Sequence, residues 1–309
     1  MSQAASLWPP MCRPIVSTRG MKRVARATLV LYLTALVPFC VYVNQNAPLS
    51  SLCAEYLSFL MGQFAMELDD HKVRAFHASV KFFMPFCNPS RVTAELKGIE
   101  KSHVTVPTTP FTVKLVIALS FFARQHYGIQ CAVGVLVAFF GLLRSQELIR
   151  VRPIDVMMRQ SFNSKTAIRL GVTKNNREQI CFIGKNTIAE RGLRFLMHYL
   201  YKNRMFTNRL FGFSSYQDLW AMLHRFKVEN RIPLHLTPHS LRSGGATFYK
   251  MNGRTMTEVC DLGRWENLKS ARQYVDSVFA LLPETLQLEQ RVFPTHERAI
   301  QMYLAPKWE

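Results

Sequence analysis

Apolar residues recur three or four apart at Leu52, Tyr56, Phe59, Leu60 and Phe64, and again at Val73, Phe76, Val80 and Phe83. Each set lines one face of a helix. Turn-forming clusters at Asn44–Pro48, Asp69–Asp70 and Asn88–Pro89 separate the runs, so residues 25–100 are expected to form a small domain of about four helices. Before it, residues 1–24 carry Pro9, Pro10 and Pro14 and little periodicity, and read as a loose arm. After it, residues 101–112 (KSHVTVPTTPFT) have two prolines, five Thr or Ser and no period, which suggests a linker. Helical spacing returns from Phe111 to Leu143. Residues 167–184 then change period: AIRLGV and QICFI alternate around TKNNRE, where Asn175–Asn176 offers a turn. That pattern predicts a β-hairpin. Helices follow over Leu193–Leu200, Leu219–Val228, Ser240–Met251 and Met256–Asp261, broken at Thr237–Pro238 and Asn252–Gly253. The fold class expected is mainly α: an N-terminal helical domain, and a C-terminal α+β domain over 113–309 with a small β-sheet or hairpin.

Composition narrows the class. The 309 residues are 49% apolar, which excludes a disordered chain. Lys and Arg number 39 against 20 Asp and Glu, a net charge of +19, and a fold that repels itself this strongly points to a polyanionic partner. The surplus is +5 over residues 1–110 and +14 over 111–309, so the second part is the stronger candidate for a polyanion-binding surface. The cations are interleaved with apolar residues rather than run together, which displays them on folded structure. Seven cysteines with no C-x-x-C argue against a disulfide framework or a cysteine zinc site and fit a reducing compartment. Residues 27–43 (ATLVLYLTALVPFCVYV), preceded by Lys22, Arg23 and Arg26, raise a rival reading as a membrane anchor. The run is short of the ~20 residues that span a bilayer and Pro38 interrupts it, so a buried helix is preferred and no membrane partner is expected.

Three local patterns carry chemistry. LLRSQELIRV places Arg144 and Glu147 one helical turn apart; LTPHSLRSGG places His239 and Arg242 likewise; DLGRWENLKSARQYV holds Trp265 and, nine residues on, Tyr274. Each alone is an ordinary surface pattern. In this order they resemble the tyrosine site-specific recombinases, the phage integrase family, and among them the Cre-like members with Trp before the nucleophile. The resemblance covers residues 111–280 by motif and 25–100 by helical character.

Carried over residue by residue, it implies that Arg144 is the first family arginine and Lys174, in GVTKNN, the hairpin lysine. His239 and Arg242 are the H-x-x-R pair, Trp265 stands at the His or Trp position, and Tyr274 is the nucleophile. Glu147 is a supporting residue that positions an arginine. Tyr249 and Tyr303 are rival tyrosines; the former reads as packing, the latter has no flanking motif. His235 and His239 stand four apart as zinc ligands do on a helix, but Pro238 between them argues against a metal.

These types suit attack on a phosphodiester. Two guanidiniums can hold the non-bridging oxygens with paired N–H donors and never lose their charge. A phenol, with a pKa near ~10, needs proton removal or positive surroundings, and His239 is the candidate acceptor. Lys174 can protonate the departing 5′-oxygen. The resemblance further implies a helical core-binding domain over 25–100, a 3′-phosphotyrosyl intermediate, no cofactor, metal or ATP, and double-stranded DNA as partner. It implies a homotetramer on two DNA sites, with a tail over about 277–304 that docks on a neighbouring subunit. A mobile element's recombinase acting inside the cell, wherever DNA is reached (the nucleus, or the bacterial cytoplasm and nucleoid), is the leading expectation. A decayed DNA-binding copy of the same fold is the alternative, ahead of a membrane-anchored protein.

Overall fold

The computed structural model describes residues 26–47, 53–85, 87–102, 108–158, 166–172, 178–205, 207–272, 275, 283, 285–290 and 292. The arm over 1–24 and Tyr303 lie outside them. The chain divides between Thr105 and Val106 into two compact units.

The first unit comprises α1 (Arg26–Asn46), α2 (Ala54–Met66), α3 (Asp70–Phe83) and α4 (Ser90–Ser102), the four helices that periodicity predicts. Leu36, Phe39 and Val43 of α1 meet Leu57 and Phe64 of α2 and Phe76 of α3 in a sealed core. The rings of Phe39, Phe64 and Phe76 lie tilted or edge-on with centroids 5.1 to 5.5 Å apart, the arrangement that ring quadrupoles favour. By length and composition α1 is apolar enough to cross a bilayer. One of its faces is core, while Val30, Leu33, Val37 and Val41 are exposed.

The second unit is built around a buried helix. The expected helical run Phe111–Leu143 is two helices, α5 (Val113–Tyr127) and α6 (Ile129–Phe140), because Gly128 takes φ 94° and turns the chain. Every residue from Cys131 to Phe140 is buried, which explains why this stretch has no polar face. Then come α7 (Ser145–Arg150), a 3₁₀ turn (Pro153–Asp155), β1 (Val156–Met157), β2 (Thr166–Val172) and β3 (Glu178–Ile183). The strands form an antiparallel sheet in the order β1-β2-β3, with Ile168 opposite Cys181. β2 and β3 fall where alternation puts them, and β1 is a strand that alternation does not predict; the turn at Asn175–Asn176 lies outside the described residues. The remaining helices are α8 (Ile188–Lys202), α9 (Tyr216–Glu229), α10 (Pro238–Met251) and α11 (Met256–Gly263). α8 and α9 start earlier than their apolar spacing because Thr187 and Ser215 cap the first amides, and α11 starts at Met256 as expected, capped by Thr255.

Two segments make contacts that their spacing does not show. The Thr/Pro strip read as a linker is tied down at its end: Thr109 and Phe111 are buried, and their amides donate to the His235 and Ser240 carbonyls at 3.0 and 3.3 Å. Tertiary backbone bonds of this kind leave no periodicity to read. The described part of the tail packs on its own unit. Leu288 and Val292 join the core around α6, and Glu289 pairs with Lys114 at 2.8 Å.

One close approach sets the site. A Cβ on Gly244 would lie 2.2 Å from the Phe111 carbonyl oxygen, and one on Gly245 2.1 Å from that of Phe139. Only a pair of glycines lets α10 sit this near to α6 and to the strip before α5, and α10 carries His239 and Arg242.

Candidate active site

Two helix C-termini converge on Arg242. At the end of α6, Leu143 N–H bonds the Ala138 carbonyl and Leu142 N–H that of Phe139, with Leu142 at φ 49°. At the end of α11, Trp265 N–H bonds Cys260 and Arg264 N–H bonds Asp261, with Arg264 at φ 58°. Both are the same left-handed terminal turn, a position that favours glycine, here occupied by Leu and Arg. Arg242 is 1% exposed. Its Nη1 donates to the Leu142 carbonyl and its Nη2 to that of Gly263. The negative ends of two helices thus face the buried guanidinium. The ring of Trp265 covers it at 4.4 Å, a cation–π contact. Gly263 is required here, since a Cβ would fall within 2.0 Å of that ring.

Glu147 is the counter-ion of the cluster. It is the third residue of α7, and its Oε2 accepts the Arg144 backbone N–H at 2.9 Å, which caps the helix. Oε1 accepts Arg144 Nη1 at 2.6 Å, Oε2 accepts Arg264 Nη2 at 2.9 Å, and Arg242 Nη1 lies 3.9 Å away. Burial alone would raise its carboxyl; the charge of Arg264 and the hydrogen bonds from Arg144 outweigh that and hold it below the ordinary range. The Arg144 side chain is 45% exposed, so it is the accessible guanidinium of the three.

His239 stands in the first turn of α10, half-buried, within electrostatic reach of Arg242 and Arg144. Burial first, and then those two charges, push its pKa down, which keeps the imidazole neutral at pH 7. Tyr249 donates its hydroxyl to the Phe140 carbonyl at 2.7 Å, and burial raises its pKa to about 12. It is a packing residue. Buried Cys181 donates to the Gly141 carbonyl at 3.2 Å, its pKa pushed up to about 11 by burial. Lys174 and Tyr274 lie outside the described residues. Val275 packs with Leu142, Ala246 and Val259, beside Trp265.

The structure therefore brings together Arg144, Glu147, His239, Arg242 and Trp265 from α7, α10 and the end of α11. It adds Arg264, which the sequence patterns do not single out. The available signal was its place: an arginine one position past a helix ending in Leu-Gly, where the chain must turn left-handed. Among the described residues no group of three or more His, Cys, Asp or Glu side chains is placed to hold a metal ion.

No protein-family model and no curated protein matches the sequence. Solved structures do match in shape. The XerH site-specific recombinase bound to palindromic difH substrate, in a post-cleavage complex, is 14% identical at a TM-score of 0.58, over 85% of this chain and 80% of that one. A lambda integrase dimer bound to a COC′ core site is 12% identical at 0.53, over 90% and 81%. The Tn1549 transposon integrase in complex with circular intermediate DNA is 14% identical at 0.52, over 83% and 99%. A mostly helical chain with this small antiparallel sheet, and this likeness, has the fold of the tyrosine recombinases and integrases.

Proposed function

We propose that the chain is a site-specific tyrosine recombinase of the Cre-like kind, one that cuts and rejoins DNA strands, in the service of a mobile element. The observation that carries this reading is the convergence of Arg144, His239, Arg242 and Trp265, from three separated elements, in a fold shared with enzymes solved on their DNA sites. Residues 25–100 act as a second DNA-binding domain, and four copies assemble on two sites.

Tyr274 supplies the nucleophile. Its oxygen bonds to phosphorus as the bond from phosphorus to the 5′-oxygen breaks, leaving a 3′-phosphotyrosine. Neutral His239 takes the phenolic proton, and Lys174 gives one to the 5′-oxygen. Arg144 grips a non-bridging oxygen, while Arg242 holds a second positive charge beneath it. Charge fixed in a buried cage needs no reorganisation as the pentavalent state forms, which is where electrostatic catalysis gains most. Rejoining reverses these steps with a partner strand's 5′-hydroxyl. The burial of Val275, the chain neighbour of Tyr274, beside Trp265 supports this assignment.

The test is a pool of nicked duplexes with randomised arms, whose short 5′-hydroxyl fragment is lost after cleavage and traps the intermediate. Recovery of a denaturant-stable protein–DNA adduct, mapped by peptide sequencing to Tyr274, is the expected result. DNA binding without any adduct would instead leave a decayed copy of the fold.

A further inference from the structure

We propose that Arg264 is a positioning residue that links the supports of the two active-site arginines. For its catalytic consequence the inference rests on the strand-exchange reading above. Arg264 Nη2 bonds Glu147, which holds Arg144, at 2.9 Å, and the Leu142 carbonyl, which holds Arg242, at 3.0 Å. Its Nη1 reaches the Gly141 and Leu262 carbonyls at 3.2 and 3.0 Å. One planar group therefore touches the end of α6, the end of α11 and the carboxylate on α7.

The position itself argues for a dedicated role. A Cβ is disfavoured in left-handed backbone, and this turn ordinarily takes glycine. The side chain is 8% exposed, and its Nε–H is buried with no acceptor among the described residues. Strained backbone and an unmet donor are tolerated together only if the side chain does something that glycine cannot. A lysine has one nitrogen on a flexible stem and cannot span the same acceptors as a planar fork.

The experiment compares the full-length wild type with Arg264→Gly, which suits the backbone, and Arg264→Lys, which keeps the charge. Adduct formation on the nicked-duplex pool is timed, and Kd for the same pool is measured separately. We expect the cleavage rate to fall about 100-fold in both variants, as for a misplacement of ~1 Å, with Kd nearly unchanged. A rate close to wild type in Arg264→Gly, full rescue by Arg264→Lys, or a loss confined to Kd overturns the proposal.

A second measurement needs no activity. Glu147 faces Arg144, Arg242, Arg264 and the Cys181 thiol. Without Arg264 its carboxyl rises, so stability that the wild type loses on acidification is already missing from the variant. The gap in urea midpoint between the two is expected to narrow from pH 7 towards about pH 4. A gap constant over that range overturns the link to Glu147. This holds even if the wild type forms no adduct, in which case it is the strand-exchange reading that fails. Should Arg264→Gly not fold, Arg264→Lys carries the rate measurement and Arg264→Gln, which removes the charge, carries the pH measurement.

Discussion

Gly245→Ala sets two effects of opposite sign against each other. In a helix interior Ala is favoured over Gly by about 1 kcal/mol. At this place the added Cβ would meet the Phe139 carbonyl oxygen at 2.1 Å and Leu142 Cδ2 at 2.6 Å. An ordinary carbon–oxygen contact is about 3.3 Å, so roughly 1.2 Å must open. The oxygen belongs to the backbone of buried α6 and cannot swing aside as a side chain would. The cost therefore lies at the upper end of the ~1–3 kcal/mol range for overpacking. The net loss is about 2 kcal/mol, or a melting temperature lower by roughly 4–8 °C for a unit of this size. Thermal unfolding followed by circular dichroism reads it directly. Gly98→Ala in α4, where no atom lies within 4 Å, is the control. It should gain about 0.5–1 kcal/mol from the same substitution. The clash also moves α10, and with it His239 and Arg242, so adduct formation should fall further than stability does. Melting of Gly245→Ala at or above the wild-type temperature would refute the packing argument.

Other perturbations test the site's parts. Tyr274→Phe should abolish the covalent adduct and leave binding of the same duplexes within a small factor, as gel shift and denaturing gels will show; an adduct in that variant removes the nucleophile assignment. Glu147→Gln leaves Arg242 and Arg264 buried without their counter-ion and should cost about 3–5 kcal/mol at neutral pH, whereas Arg144 can turn to water. The Glu147 carboxyl is held below its ordinary value, so its contribution is complete above about pH 4.5 and disappears as pH falls through the folded pKa. Urea unfolding should accordingly show the wild type and Glu147→Gln converging in acid. Trp265→Ala uncovers the Arg242 guanidinium and should lose roughly 2 kcal/mol that Trp265→Phe largely keeps, in the same assay. Binding to duplex DNA should weaken steeply between low and moderate salt as phosphate contacts release counter-ions; a flat salt dependence would count against the basic surface as the DNA face.

The helices were legible because burying one face is a property of spacing, and the hairpin strands because alternation is another. The helix break at Gly128 was not, since glycine is tolerated within a helical pattern and only its φ of 94° shows that it turns the chain. Nor was the docking of Thr109 and Phe111, whose partners are carbonyls at His235 and Ser240, far along the sequence. At the site, Arg144, His239, Arg242 and Trp265 were legible by residue type and order. Arg264 was not, because its partners are mostly backbone.

Side chains advertise their charge in a sequence; carbonyl oxygens do not. Arg242 and Arg264 take most of their contacts from carbonyls at the ends of α6 and α11, and share a single carboxylate with Arg144. Three arginines around one glutamate leave the cluster with surplus positive charge, and oriented carbonyls offset the cost of its burial without neutralising it. A carboxylate partner for each arginine would cancel the charge that a phosphate needs to meet. The left-handed turns at Leu142 and Arg264 are what aim these carbonyls inward. On the proposed reading their strain follows from the same requirement: a cationic floor that is fixed before a phosphate arrives and remains cationic once built.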